Sequence, residues 1–310
     1  MDSEDHSIFK KFSGVTISSS IDPVSLGSIF LYELPRHDKE FSARFKFAKP
    51  SHLLGRSQSH VFIESVVSAK DEIKALEIAN SRFNSIDLLT CFFLGDRCLN
   101  FSFGILRFHF NLKHNALISH EGGLSLEEEG ELTTGDLIDV SKLLCDDSFG
   151  DNKSKRSRLI ECVLSPKSLM EKRIKNAIEW LGEAYVDSNR SSSYLKSIIG
   201  LESLLKMDEK GVINSSIMSS IAEFCAYLQG RSMDDCLIIE QKVKELYGER
   251  SKIAHTGASS VSLKNLNEAR EFVRDIVLSF VKFVDDREIK TIEDLRSNFR
   301  NIKYQNFLGC

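Results

Sequence analysis

Hydrophobic residues recur every three or four positions through the second half of the chain, from about residue 165 onward. Five segments show this spacing, which is the period of a helix with one buried face. Short connections between them favour antiparallel neighbours, so we predict an all-α helical bundle. The predicted stripes are Met170, Ile174, Ala177, Ile178, Leu181 and Tyr185; Leu195, Ile198, Ile199 and Leu205; Ile217, Ile221, Phe224, Cys225 and Leu228; a helix from near Asp234 to Tyr247; and Leu266, Ala269, Val273, Ile276, Val277, Phe280 and Val284.

The first half has a different pattern and predicts a mixed α+β domain. Its strand candidates are rich in β-branched and aromatic residues, and one of them repeats its alternation after a one-residue slip, which indicates a β-bulge. A long helix is predicted from Asp71 to about Phe93, with apolar positions at Ile73, Leu76, Phe83 and Ile86. The predicted strands are residues 15–21, 41–47, 61–69, 100–112 (the bulged one) and 159–164.

Two polar stretches separate these regions. Residues 121–139 contain seven acidic and no basic residues, which predicts a solvated acidic loop or face. Residues 145–158 are polar and have no periodicity, which predicts a linker or an exposed hairpin loop. We therefore divide the chain into an N-terminal α+β domain (1–158), a helical bundle (159–288) and a C-terminal tail with a short helix (289–310).

Composition and charge narrow the class of protein. Hydrophobic residues make up 42% and charged residues 28%, as in globular proteins. With 41 Lys and Arg against 45 Asp and Glu, the net charge of −4 excludes a generally basic nucleic-acid coat. No apolar run is long enough to span a bilayer, and no signal peptide is recognisable. Seven cysteines without a CxxC pair, including Cys91 and Cys98, indicate buried free thiols and a cytoplasmic location.

The sequence lacks the motifs that identify several common classes of enzyme. The sequence has no Walker loop, no GxGxxG and no GxSxG. His109, His114 and His120 lack the spacing of metal ligands, so neither a metal nor another cofactor is predicted. The basic residues 153–158 are typical of a solvated linker, and contact with RNA phosphates is the alternative.

The segment from Leu246 to Gly257 contains the most informative pair. Arg250 and His255 are separated by four residues in a charged stretch bracketed by Gly248 and Gly257. On a regular helix their side chains would point about 140° apart. They would share one compact site only at a helix end, or if a second copy of the chain supplied part of it. An exposed arginine beside a helix-capping histidine is the alternative interpretation.

Glu202 is the second candidate because it falls within an apolar stripe. A carboxylate in that position is unfavourable unless it is paired or hydrogen-bonded. One interpretation is a structural glutamate that binds a buried arginine or backbone N–H groups. The other is a supporting group that orients Arg250 or His255.

The order of three segments resembles the HEPN superfamily, and specifically the Apea-like HEPN domain. The segments are AIEWLGEAY (177–185), YLKSIIGLESLL (194–205) and LYGERSKIAHTG (246–257). The resemblance covers about residues 165–286, somewhat under half of the chain. The N-terminal half resembles no family that we can name.

The resemblance implies a dimer in which the Arg and His motifs of two protomers face one composite cleft. HEPN domains are mostly metal-independent endoribonucleases, and Arg250 and His255 match their motif. Ser251 departs from the Asn, Asp or His that often follows the arginine, so one titrating helper group is missing. Some members of the superfamily are inactive scaffolds, and fold does not establish catalysis.

Two functions therefore remain open. The first is a metal-independent endoribonuclease that acts as a toxin or antiviral effector in abortive infection, with the N-terminal domain binding a phage or cellular trigger or guiding the RNA substrate. The second is a non-catalytic HEPN dimer that binds protein or RNA. A related idea is a HEPN protein silenced by modification near its motif, for which Tyr247 and Ser251 are the nearest hydroxyls.

Overall fold

The chain divides into two compact units, Met1–Arg156 and Ser157–Cys310. The computed structural model describes residues 4–18, 22–44, 60–106, 114–120, 123–129, 136–145, 153–207, 217–256 and 261–308. Within those ranges the first unit contains strands and helices, and the second contains helices only. The predicted order of an α+β region followed by helices is therefore confirmed.

The first unit is built on a four-stranded antiparallel sheet in the order β1-β5-β4-β3. Two shorter pairs accompany it: β2 lies parallel to β8, and β6 and β7 form a hairpin. The strands are β1 (Glu4–Phe12), β2 (Val15–Thr16), β3 (Val24–Leu26), β4 (Ile29–Leu34), β5 (His60–Ala69), β6 (His114–His120), β7 (Gly123–Glu129) and β8 (Ile138–Asp139).

The helices of this unit are α1 (Asp38–Arg44), α2 (Glu72–Leu94) and α3 (Val140–Cys145). Asp71 caps α2 by accepting a hydrogen bond from the backbone N–H of Lys74 at 2.7 Å, which confirms the predicted start of this helix. Its C-terminal half is buried, but Ile73 and Leu76 are 75% and 43% exposed. The predicted apolar stripe was therefore wrong at its first two positions.

Three of the predicted strands in this unit require correction. Residues 41–44 belong to helix α1, whose Phe41 packs against Tyr32 and Phe62, and residues 45–47 lie outside the described part. Of residues 15–18, which are the described part of the predicted strand 15–21, only the two residues of β2 are strand. Residues 95–100 form a 3₁₀ helix, Gly104 makes an isolated bridge with Ser13, and residues 107–112 lie outside the described part. Local composition favoured strands there, but pairing partners decide where a strand forms.

The acidic stretch 121–139 is also not simply a loop. Its residues 123–129 form β7, paired with β6 in antiparallel register from His114 opposite Glu129 to His120 opposite Gly123. His109 lies outside the described residues.

The second unit is a set of helices with the core between α5, α6, α8 and α9. All six residues of the first predicted stripe and all seven of the last are buried, which confirms these two amphipathic helices. Ile217 departs from the third stripe, because it is 48% exposed. The helices are α4 (Lys153–Leu164), α5 (Leu169–Val186), α6 (Arg190–Leu205), α7 (Ile217–Gln229), α8 (Met233–Thr256), α9 (Leu263–Asp286) and α10 (Ile292–Leu308).

Two boundaries in this region were predicted wrongly. Residues 159–164 are not a strand: they continue helix α4, which begins at Lys153 inside the predicted linker. Helix α8 does not end near Tyr247 but continues through Gly248 to Thr256. A glycine inside a helix costs only about 1 kcal/mol, and burial of Leu246 and Ile253 on one face outweighs it.

The last helix, α10, packs on the bundle with the aromatic ring of Phe299. Phe299 is buried and stacks on Phe224 and Phe283, with ring centroids 4.5 and 5.1 Å away. Phe299 of α10 is therefore part of the hydrophobic core of this unit.

Candidate functional site

The candidate site lies where helix α8 crosses helix α6. Tyr194, Ile198 and Glu202 are spaced by four residues and share one face of α6. Leu246 and Ile253 of α8 are buried against this face. The Tyr194 hydroxyl donates a hydrogen bond to the Leu246 carbonyl oxygen at 3.1 Å, which fixes α8 one turn before Arg250.

Arg250 occupies a position in the buried stripe of α8, between Leu246 and Ile253. It therefore points toward α6, where Nη2 lies 3.3 Å from Oε1 and 3.5 Å from Oε2 of Glu202. The side chains are 37% and 19% exposed, so the ion pair sits at the edge of the core. Nε and Nη1 of Arg250 make no hydrogen bond with any residue that the structure describes. The guanidinium is held at one nitrogen and its other donors remain available.

Tyr247 completes this cluster from the preceding turn of α8. The Arg250 guanidinium carbon lies 5.9 Å from the centre of the Tyr247 ring. The Tyr247 hydroxyl is buried and makes no hydrogen bond of normal geometry with a described residue. Burial, then the charge of the Glu202 carboxylate and a hydrogen-bonding contact with it, raise the pKa of Tyr247 above its usual range. The hydroxyl therefore lies close to Glu202, although the contact falls short of normal hydrogen-bond geometry.

His255 lies apart from this cluster within one chain. It is exposed in the last turn of α8, as are Ser251, Lys252 and Ala254. Toward the described residues His255 makes no hydrogen bond or ion pair. The five-residue offset from Arg250 turns it about 140° around the helix axis. One chain therefore brings together Arg250, Glu202 and Tyr247, and leaves His255 and Ser251 on the open side of the helix.

The two hydroxyls considered for modification, those of Ser251 and Tyr247, differ in their exposure to solvent. Ser251 is exposed, but the Tyr247 hydroxyl is buried between α6 and α8. In this conformation a modifying enzyme would reach Ser251 and not Tyr247.

One buried polar residue was missed from the sequence. Arg270 of α9 is 2% exposed and donates hydrogen bonds to Ser193 Oγ at 2.8 and 3.2 Å and to the Ala184 carbonyl oxygen at 2.7 Å. Its guanidinium also lies 5.2 Å from the Tyr185 ring centre. The signal was present, because Arg270 stands four residues after Leu266 in the apolar stripe. These contacts join α5, α6 and α9 and are structural.

The described residues contain no metal-binding site. No group of three or more His, Cys, Asp or Glu side chains with metal-binding geometry occurs among the described residues. Cys91 and Cys98 are buried, as expected.

An open groove of about 900 Å³ lies between the end of α7, the start of α8 and the end of α9, at the opposite end of α8 from Arg250. None of the described helices is long and apolar enough to cross a membrane.

The chain matches no protein-family model, no curated protein and no solved structure. The HEPN resemblance therefore stands on the three segments quoted above, and the site is interpreted from its own geometry.

Proposed function

We propose that the chain is a metal-independent endoribonuclease of HEPN type, with Arg250 and His255 as its catalytic residues. The observation that carries this proposal is the way in which Glu202 holds the Arg250 side chain. Its guanidinium is oriented by Glu202 through one nitrogen, and its remaining donors are unused by the described residues. An arginine held this way is suited to binding phosphate oxygens, because the planar guanidinium presents paired N–H donors.

The proposed reaction transfers a phosphoryl group within RNA. A base removes the proton of the 2′-OH, and the 2′-oxygen forms a bond to phosphorus as the bond to the 5′-oxygen breaks. An acid delivers a proton to that 5′-oxygen, which leaves a 2′,3′-cyclic phosphate and a 5′-OH. Arg250 stabilises the negative charge that develops on the non-bridging oxygens. Two imidazoles would serve as base and acid, since an imidazole exchanges protons near neutral pH.

One chain offers one motif histidine, so the proposed site requires two copies. In a two-fold homodimer the same segment of both chains meets at the axis. The open side of the last α8 turn, with Ser251, Ala254 and His255 exposed, supports a contact of this kind. The partners are therefore a second copy of the chain and an RNA substrate. For the first unit we propose binding of a phage or cellular trigger, and for the whole protein a toxin or antiviral defence role in the cytoplasm.

The test is incubation of the purified protein with total RNA in EDTA, with a His255→Ala variant beside it. The proposal expects fragments that end in 2′,3′-cyclic phosphate from the wild type and none from the variant. Cleavage that stops on chelation, or that persists in the variant, would place the chemistry elsewhere in the chain.

A non-catalytic HEPN dimer that binds RNA or protein is the second candidate. Two observations favour it: Ser251 is not a titrating group, and Arg250 is already bound to Glu202. This candidate expects the wild type to bind RNA without shortening it, and to bind it equally well after His255→Ala.

A further inference from the structure

Strand β1 forms one edge of the four-stranded sheet, and its outer side pairs with no residue that the structure describes. The other edge strand, β3, has only three residues, whereas β1 has nine, from Glu4 to Phe12. The bridge between Ser13 and Gly104 lies beyond its last residue. An edge strand of this length presents a row of unpaired backbone N–H and C=O groups, on which another strand can pair. The outer side of β1 is therefore suited to extending the sheet.

The charged residues of β1 are divided between its two ends. Glu4 and Asp5 begin the strand, Lys10 and Lys11 stand near its end, and Ile8 is at the midpoint. The β5 residues opposite these four charges are all uncharged: Ala69, Ser68, Ile63 and Phe62. Toward the residues that the structure describes, none of the four makes an ion pair. The sheet therefore leaves an acidic end and a basic end of β1 without charge partners.

We infer that β1 is a contact for a second copy of the chain, whose own β1 pairs with it in antiparallel orientation across a two-fold axis. Two identical antiparallel strands are related by an axis perpendicular to the sheet, so opposed residues lie on the same face in both copies. With the axis at Ile8, all nine residues of the strand are paired, from Glu4 opposite Phe12 onward. Asp5 of each copy then lies opposite Lys11 of the other.

The charge pattern selects this arrangement of the two strands. Opposite charges on directly opposed residues stabilise a strand pair, and like charges there destabilise it. In the antiparallel pair, Glu4 also lies diagonal to Lys10 of the other copy, so all four charges gain a partner of opposite sign. A parallel pair in register would instead set Asp5 beside Asp5 and Lys11 beside Lys11. The sequence of β1 is thus complementary in charge to its own reverse, and the backbone hydrogen bonds of the sheet continue across the axis.

This contact does not rest on the proposed function. It involves the first unit only, and it assumes nothing about RNA or about the contact proposed for α8. Its consequence for the proposed site is indirect. Pairing of two first units holds two second units in one assembly, which raises the local concentration of each for the other.

The test introduces Ser7→Cys into the full-length protein and adds a short bismaleimide, which joins two thiols. Ser7 is exposed, and in the proposed register the two positions are diagonal neighbours with Cβ atoms about 7 Å apart. We expect a cross-linked dimer on denaturing gels that is absent from the protein without this substitution. Ser25→Cys is the matched control, because Ser25 is an exposed serine on β3 at the other edge of the sheet. It should give no such dimer.

Charge reversal identifies the partner as a second β1. Asp5→Lys and Lys11→Asp, each combined with Ser7→Cys, place like charges opposite each other, so the cross-linked fraction should fall about tenfold in either variant alone. In an equimolar mixture, position 5 of one variant again faces an opposite charge at position 11 of the other. Cross-linking should then return to within about twofold of its original level. Both side chains are exposed, so the melting temperature should not change.

The outcomes separate this inference from the proposed function. Absence of a dimer with Ser7→Cys, or an equal dimer with Ser25→Cys, would overturn the inference. So would a loss in the single variants that the mixture does not restore, because the charges would then act on a different partner, such as a strand of another protein. If the mixture restores the dimer but RNA is not cleaved, the inference holds and the ribonuclease proposal fails. If RNA is cleaved and β1 gives no dimer, the reverse is true.

Discussion

Arg250 of α8 and Glu202 of α6 form an ion pair in which Nη2 lies 3.3 Å from Oε1. Both residues occupy stripe positions on helices that are otherwise apolar on that face, and each provides the other's charge partner. Arg250 therefore provides a charge partner for a carboxylate at the edge of the hydrophobic core. In return, Glu202 orients the Arg250 guanidinium.

The first prediction concerns Glu202→Gln. If Glu202 orients Arg250, this change should lower RNA cleavage by up to about 10²-fold, because misplacing a catalytic group by about 1 Å has an effect of that size. The free energy of unfolding should change by less than about 1 kcal/mol, since partly exposed ion pairs contribute little. Cleavage rates and urea midpoints measure the two quantities. Unchanged activity together with a large loss of stability would show that Glu202 is structural only.

The second prediction concerns Arg250 itself. Arg250→Ala should reduce cleavage by about 10² to 10³-fold, as expected for the loss of one electrostatic donor. Arg250→Lys should recover little, because an ammonium cannot bind two phosphate oxygens with planar geometry. Lys252→Ala is the control, since Lys252 lies two positions away and its side chain is 70% exposed. Equal losses in both variants would indicate general attraction of RNA rather than a specific contact.

The third prediction concerns the proposed two-fold contact. A cysteine at Ala254, next to His255 on the open side of α8, should form a disulfide between two copies under mild oxidation. A cysteine at Met233, which is 72% exposed at the far end of the same helix, should not. Non-reducing gels and light scattering measure the two outcomes. A monomer that cleaves RNA at full rate would exclude the composite site.

The helical unit could be predicted from sequence to the extent that its helices are amphipathic. The stripes of α5 and α9 are regular because each has one buried face over its whole length. Gly248 was misleading, because its low helix propensity is a local signal, whereas α8 is held by Leu246 and Ile253 through contacts with α6. Residues 159–164 were misleading for a similar reason: Ile160 and Val163 suit a strand, but the residues before them extend a helix.

The sheet was harder to predict because its pairing is non-local. β1 pairs with β5 at sequence separations that run from 65 positions, for Glu4 opposite Ala69, down to 49, for Phe12 opposite Val61. Nothing in the sequence near β1 specifies that partner. β4 was missed for the same reason, although Ile29 to Leu34 is a short run of apolar residues around a buried glutamate.

The arrangement of the candidate residues could not be predicted from the sequence. Arg250, His255 and Glu202 could each be selected from sequence. The contact between Arg250 and Glu202 depends on which face of α6 meets α8, and so does the burial of the Tyr247 hydroxyl. Arg270 shows that a charged residue in a stripe position indicates a buried network, and that pattern could have been used.

The fourth prediction concerns stability at acid pH. Burial alone would raise the pKa of Glu171, but hydrogen bonds from the backbone N–H groups of Lys167 and Ser168 and from Arg158 hold it below its usual value of 4.5. A carboxyl whose pKa is lower in the folded state stabilises the fold above its unfolded pKa. That contribution is lost as pH falls through the folded pKa. The helical unit should therefore lose stability below about pH 4.5.

The comparison that isolates this effect is Glu171→Gln against Glu161→Gln. Both glutamates lie near Arg158, at 2.7 and 3.8 Å, but the Glu161 side chain is 67% exposed. At pH 7, Glu171→Gln should lower the free energy of unfolding by about 1–3 kcal/mol and Glu161→Gln by much less. The Glu171→Gln difference should shrink toward pH 2 to 3, as the wild-type carboxyl becomes protonated. A difference that is constant with pH would mean that packing, not charge, is responsible.

The last prediction tests the structural role assigned to Arg270. Arg270→Ala leaves a cavity and removes the donors for Ser193 and the Ala184 carbonyl, so it should destabilise the helical unit by about 3 kcal/mol or more. Arg270→Met fills most of the volume and should cost less, because replacing a buried ionic side chain with an apolar one of similar size is often tolerated. Trp180, the single tryptophan of the chain, lies in α5 and reports unfolding of this unit by fluorescence. Lys282→Ala, an exposed position on the same helix, is the control. If Arg270→Ala unfolds at the same urea concentration as the wild type, the contacts of Arg270 do not hold α5, α6 and α9 together.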